Sequence, residues 1–238
     1  MVGRRKNKRP AGRESYRRDA SPTFPPASPI PSPVSSTPGS PSPVQDSSSH
    51  VRINRRSRIA SLKALEPERY LDDIVVNTVI QMLVNRDDRF EAVDTLMINY
   101  VSQGAETPHW FRQYHEPLRG RPHVLIPWCY TEHWTLFHYT SSGEVTYYNS
   151  MPGHIPLATA ESVINRYLDE ALGPETPRSR MAIANGPVQY NGYDCGLFVL
   201  RYVDTLTNFR VALPVLPSVQ EDELRDHYKA VFLRASME

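Results

Sequence analysis

At 238 residues the chain has room for one folded domain of about 150 residues and a tail. No run approaches the roughly 18 to 20 apolar residues of a membrane span, and with MVGRRKNKRP at its start neither a transmembrane anchor nor a secretory signal peptide is expected. Two cysteines, Cys129 and Cys195, exclude a disulfide scaffold or a four-cysteine zinc site within one chain and point to free thiols in a reducing compartment. The net charge of +1 conceals a division: residues 1–58 hold 12 of the 27 Lys and Arg and 3 of the 26 Asp and Glu, giving +9 there and −8 on the remainder.

Residues 1–50 contain 10 of the 22 prolines, many serines and few aliphatic residues, so they lack the apolar surface to offset chain entropy and are read as a disordered tail. Within it Arg4, Arg5, Lys6, Lys8 and Arg9 form a basic cluster of the nuclear-import type, although the same residues suit a solvated charged end. Ser21, Ser28, Ser32, Thr37, Ser40 and Ser42 each precede a proline, which suits proline-directed kinases or simply a polyproline-like spacer. These features divide the chain into a basic tail, residues 1–58, and a folded domain, residues 59–238.

Past Pro67, residues Leu71, Ile74, Val75, Thr78, Val79, Met82 and Leu83 recur at helical spacing. The stretch Phe90, Val93, Leu96, Met97 and Tyr100 suits a short helix or a buried strand. HVLIPW, HWTLFHYT and EVTYYNS read as three successive strands, the last two joined by a Ser-Ser-Gly turn. Residues 158–172 form an amphipathic helix ended by Gly173-Pro174, MAIAN a short strand, CGLFVLRYVDTLT an apolar helix and residues 219–235 a charged one. The order predicts an α+β domain around a central sheet.

Three segments carry chemistry. Cys195 follows an Asn-Gly turn and opens an apolar helix, where unpaired amides and the helix dipole favour a thiolate; Gly196 clears one side of the approach. His133 begins a predicted strand beside Trp134. Asn149, 16 residues later, ends the next strand, so a hairpin would let its carbonyl oxygen accept from the imidazole Nδ1–H and leave Nε2 facing the thiol. Cys129, His133 and His138 make a poor metal set, lacking a fourth soft ligand, and Cys129 reads as strand packing. Tyr147, Tyr148, Phe198 and Tyr202 read as core. The −8 on the domain argues against nucleic-acid binding there.

The order His, acid or amide, Gln, Cys resembles that of the cysteine proteases of ubiquitin-like modifiers, the SUMO-protease family related to adenovirus-type proteases. HWTL is similar to the family's histidine motif, YYNSM to its acid motif, and Gln189, Asn191, Gly192, Asp194, Cys195 and Gly196 to its nucleophile motif; YLDDIVV is similar to the segment that opens its catalytic domain. The resemblance implies a papain-like protease domain with a mixed sheet flanked by helices. It makes Cys195 the nucleophile, His133 the general base and acid, Asn149 the orienting residue and Gln189 an oxyanion-hole donor. Trp134, Tyr70 and Gly196 would border a channel for a Gly-Gly tail. The implied reaction is acyl transfer through a thioester, releasing a lysine amine or a peptide. The implied partner is a SUMO-type modifier and its conjugates, acted on by a monomer with no cofactor and no membrane. Nuclear or nucleocytoplasmic location is the matching expectation.

Two positions depart from the pattern. Asn149 stands where the family has aspartate, which keeps orientation and loses charge; in serine enzymes that exchange costs about ten-thousand-fold, whereas Cys-His-Asn arrangements function in papain-like enzymes. Tyr70 replaces a common tryptophan. A catalytically silent module that binds a ubiquitin-like protein is therefore the competing reading.

Overall fold

The computed structural model describes residues 55–104, 106–209 and 221–235; the tail read from the sequence, up to residue 54, lies outside the described residues. In chain order the elements are α1 (Arg55–Ala64), α2 (Asp73–Val84), β1 (Phe90–Ala92), α3 (Thr95–Ser102), α4 (Trp110–Tyr114), a 3-10 turn (Glu116–Leu118), β2 (His123–Tyr130), β3 (His133–Thr140), β4 (Val145–Tyr148), α5 (Leu157–Leu172), β5 (Ala182–Ile183), α6 (Cys195–Phe209) and α7 (Glu221–Ala235). The strands form one sheet in sequence order, with β2, β3 and β4 antiparallel and the outer strands β1 and β5 parallel to their neighbours. The α+β reading with a mixed sheet flanked by helices is the fold observed.

Alternation along the strands builds two cores, one on each face. Trp134 and Leu136 of β3 join Leu125, Tyr148 and the apolar stripes of α2, α6 and α7. Phe137 and Tyr139 of the same strand join Trp128, Tyr147 and the inward residues of α3, α4 and α5. Val75, Val76, Val79 and Leu83 of α2 are completely buried, each contributing about 1.5 to 3 kcal/mol by area removed from water. Tyr147, Tyr148, Phe198 and Tyr202 are buried core residues, as their setting predicts. The ambiguous stretch from Phe90 to Tyr100 holds both alternatives: β1 pairs with β2, and Asp94 then caps α3 by accepting from the Leu96 amide at 2.8 Å.

Two features were not visible in the pattern. Helix α1 starts at Arg55 and crosses the 58/59 boundary; its charged sequence hides a seam in which Ser61 and Leu65 are buried. Helix α7 is more than a charged terminus, because Arg225 is 3% exposed and reaches across the molecule. Its guanidinium donates to the carbonyls of Ala64 (3.4 Å), Glu66 (2.9 Å) and Arg69 (2.8 Å), and pairs with Asp194. One side chain thus ties the α1–α2 connection to the residue before Cys195. Asp72 strengthens that connection by capping α2 at Val75 (2.8 Å) while accepting from the Ser61 hydroxyl (2.9 Å).

Candidate active site

A tight turn delivers His133. Thr131 and Glu132, between β2 and β3, both adopt left-handed backbone (φ 47° and 62°), the hairpin form whose twist matches its flanking strands. His133 follows as the first residue of β3, 3% exposed. From the neighbouring strand end, Asn149 Oδ1 lies 2.8 Å from His133 Nε2 and accepts the Met151 amide at 2.9 Å. Because an amide donates to Oδ1, that atom is an acceptor and Nε2 carries the proton.

The nitrogen is the opposite of the one expected from the sequence, and the register explains why. Leu136 pairs with Tyr148, so the next position places Asn149 across from Thr135 and diagonally from His133. A diagonal pair is about 7 to 8 Å apart at Cα, a span that the distal Nε2 bridges and the proximal Nδ1 does not. In the neutral ring Nδ1 is then the nitrogen able to accept.

Cys195 opens α6, and its sulfur packs against the backbone on both sides of His133. It lies 3.9 Å from the Glu132 carbonyl oxygen, and the amides of Trp134, Gly196 and Cys195 itself face it. Burial pushes the thiol pKa up and outweighs the lowering by these amides, while Asp194 adds to the rise. His133 shifts the other way: burial lowers its pKa, the Asn149 hydrogen bond partly restores it, and His154, edge-on with ring centroids 4.9 Å apart, lowers it again. Burial thus disfavours the charged form of both groups, against the local preference of a helix start for a thiolate.

The Gln-x-Asn-Gly-x-Asp-Cys segment organises itself. Asn191 Oδ1 accepts from the amides of Tyr193 (3.1 Å) and Asp194 (3.0 Å), and its Nδ2 donates to Asp194 at 2.6 Å. Gln189, 4% exposed, donates through Nε2 to the Asn191 carbonyl at 2.9 Å and accepts from the Ser150 hydroxyl at 2.6 Å. Trp134 is buried, its indole N–H donating to the Leu71 carbonyl at 3.0 Å. Gly196 serves packing: a Cβ there would meet Leu71 Cβ at 2.9 Å, so only glycine lets α6 approach the α2 entry this closely. Tyr70 is half-exposed, with its hydroxyl 3.8 Å from where a Cβ on Gly192 would stand. Cys129 is a half-buried residue of β2 packed on the same core as Cys195, its thiol pushed up to about 11 by burial.

Sequence reasoning brings together Cys195, His133, Asn149 and Gln189, and misses Ser150, His154 and Arg225. Ser150 sits inside the YYNSM segment and was available there. Arg225 lies 30 residues beyond Cys195 in a charged helix and gave no local signal.

The model of the Ulp1 protease family, C-terminal catalytic domain, matches residues 75–212, more than half of the chain. No curated protein sequence matches it. Among solved structures, the C-terminal Ulp1 protease domain in complex with Smt3, the yeast ortholog of SUMO, superposes with a TM-score of 0.61 at 16% identity, covering 76% of this chain and 84% of that one. The catalytic domain of the Chaetomium thermophilum Ulp1-like SUMO protease gives 0.55 at 18% identity, covering 73% and 76%. The Xanthomonas campestris effector XopD bound to ubiquitin gives 0.54 at 16% identity, covering 71% and 96%. At these identities the structures share the fold.

Proposed function

The chain belongs to the Ulp1 protease family of cysteine peptidases, and from that premise we propose that it cleaves after the C-terminal Gly-Gly of a SUMO-type modifier, freeing a lysine amine or a short peptide. The observation that carries this reading is the convergence of the Cys195 sulfur on the backbone flanking His133, whose Nε2–H is held by Asn149.

In this reading Nδ1 of His133 takes the thiol proton as the sulfur attacks the glycine carbonyl. Asn149 fixes the tautomer that allows it and supports the imidazolium by orientation and dipole, without a charge. Gln189 donates an amide N–H to the developing oxyanion, and collapse of the tetrahedral intermediate passes the proton from His133 to the leaving amine. Water, activated by the same imidazole, then clears the thioester. Trp134, pinned by Leu71, and Tyr70 border the channel for the glycine tail, where a bulkier sequence would clash.

The basic cluster from Arg4 to Arg9 supports nuclear residence, and the composition of residues 1–58 supports a tail that the catalytic step does not need. A panel of modifiers carrying a fluorogenic group on the C-terminal glycine tests the function: turnover of a SUMO-type substrate, lost in Cys195→Ser, supports it. Binding without turnover would favour the silent module, a reading prompted by the missing charge at Asn149.

A further inference from the structure

Ser150, inside the acid motif, faces the nucleophile loop. Successive side chains at a strand end project to opposite sides. At the end of β4, Asn149 reaches His133 at 2.8 Å, and Ser150 reaches Gln189 at 2.6 Å. Ser150 is 1% exposed, and its carbonyl also accepts the Gln189 amide at 2.8 Å, so backbone and side chain of one residue grip the same glutamine.

A glutamine used as an oxyanion donor has a specific difficulty. Its carboxamide is nearly symmetric, and turning it over would present an oxygen to a developing negative charge. The Asn191 carbonyl can only accept, so it holds the nitrogen end at 2.9 Å and occupies one of its two N–H groups. The oxygen end then faces Ser150, whose hydroxyl must donate. With both ends held, the second N–H of Gln189 has a defined direction.

We propose that Ser150 is a positioning residue for the oxyanion donor, locking the Gln189 carboxamide so that its second N–H meets the attacked carbonyl oxygen. This rests on the reading of Gln189 as that donor. Two consecutive residues then set both halves of the chemistry, Asn149 the base and Ser150 the donor.

The test is steady-state kinetics of full-length parent, Ser150→Ala, Gln189→Ala and the double variant on a fluorogenic SUMO-type substrate. Affinity for the unmodified modifier, the pH profile of kcat/KM and Tm are measured alongside. Gln189→Ala should lower kcat about 10²- to 10³-fold. Ser150→Ala should lower it about 10- to 100-fold with KM and modifier affinity unchanged, because the acceptor it abandons is buried. The double variant should be no slower than Gln189→Ala, since both changes remove one device. The pH profile of Ser150→Ala should match the parent's, whereas general damage at the β4 end would displace Asn149 and move the His133 limb. If Gln189→Ala is slow but Ser150→Ala runs at the parent rate, or if the two losses multiply, the proposal is overturned alone. If Gln189→Ala itself runs at the parent rate, the oxyanion-donor reading falls, and the proposal with it.

Discussion

Strand β3 holds two buried histidines, one at its first residue and one near its far end, and only the first is proposed to carry chemistry. His133 and His138 are 3% and 5% exposed, and burial lowers the pKa of both. His138 is the more strongly perturbed, lowered to about 4 by burial and by His123, whose Nδ1 lies 3.0 Å from its Nε2 and whose ring stacks on Phe90. Perturbed titration alone would therefore point to His138 rather than to the proposed base. An imidazole partner can donate or accept, so His123 imposes no tautomer on His138. Asn149 Oδ1 can only accept, which places the proton on His133 Nε2, while the Cys195 sulfur packs on the backbone of the residues flanking that histidine. Burial lowers the pKa of either histidine; a fixed acceptor also decides which ring nitrogen carries the proton.

Substitution at each end should separate the two most sharply. His133→Ala is expected to lower kcat/KM roughly 10⁴-fold on a modifier substrate, while His138→Leu leaves it essentially unchanged. Comparable losses at both positions would break the comparison.

Asn149 comes next. Asn149→Ala removes orientation and should cost about 10²- to 10³-fold in kcat/KM. Asn149→Asp keeps the hydrogen bond and adds charge; the imidazole pKa rises, the unprotonated base that takes the thiol proton appears only at higher pH, and the acid limb of the kcat/KM profile should move up while activity above it is kept or raised. Equal activity of Asn149→Ala and the parent would show that another group orients His133.

The site end also holds the buried Arg225–Asp194 pair, both side chains under 5% exposed. Arg225→Met leaves the Asp194 carboxylate without its partner and should destabilise the domain by about 3 to 5 kcal/mol in urea unfolding. An unaffected midpoint would mean that α7 does not brace the nucleophile loop.

At the distal end the signature is in stability. Unfolded His138 binds a proton below about pH 6.5, and the folded side chain does so only near 4, so the unfolded state gains protons first as pH falls. Its contribution is complete at neutral pH, and about 3 kcal/mol is lost between about pH 6.5 and 4. Urea unfolding across that window should show the loss shrinking by this amount in His138→Leu; an identical pH dependence in both proteins would contradict the assignment.

The candidate-site segments were legible because each is a short motif at a strand end or helix start, where spacing alone restricts geometry. Which nitrogen of His133 meets Asn149 was not, since it depends on the diagonal offset between β3 and β4, and register is a tertiary property. Gly196 looked like a cleared approach and is a close helix contact with Leu71. Helix α1 and Arg225 were hidden because their polar residues acquire meaning only when α7 closes on the α1–α2 connection. Burial also opposes the local preference for a thiolate at the start of α6 by pushing the Cys195 pKa up.

His133 and Asn149 are proposed to make Cys195, and not Cys129, the reacting thiol. Full-length protein is incubated with a SUMO-type modifier whose C-terminal glycine carries a thiol-reactive electrophile, and the adduct is mapped by mass spectrometry. One modifier per chain is expected on Cys195, with labelling much slower in His133→Ala and absent in Cys195→Ser. Attachment to Cys129, or binding of the modifier with no adduct at all, would contradict it.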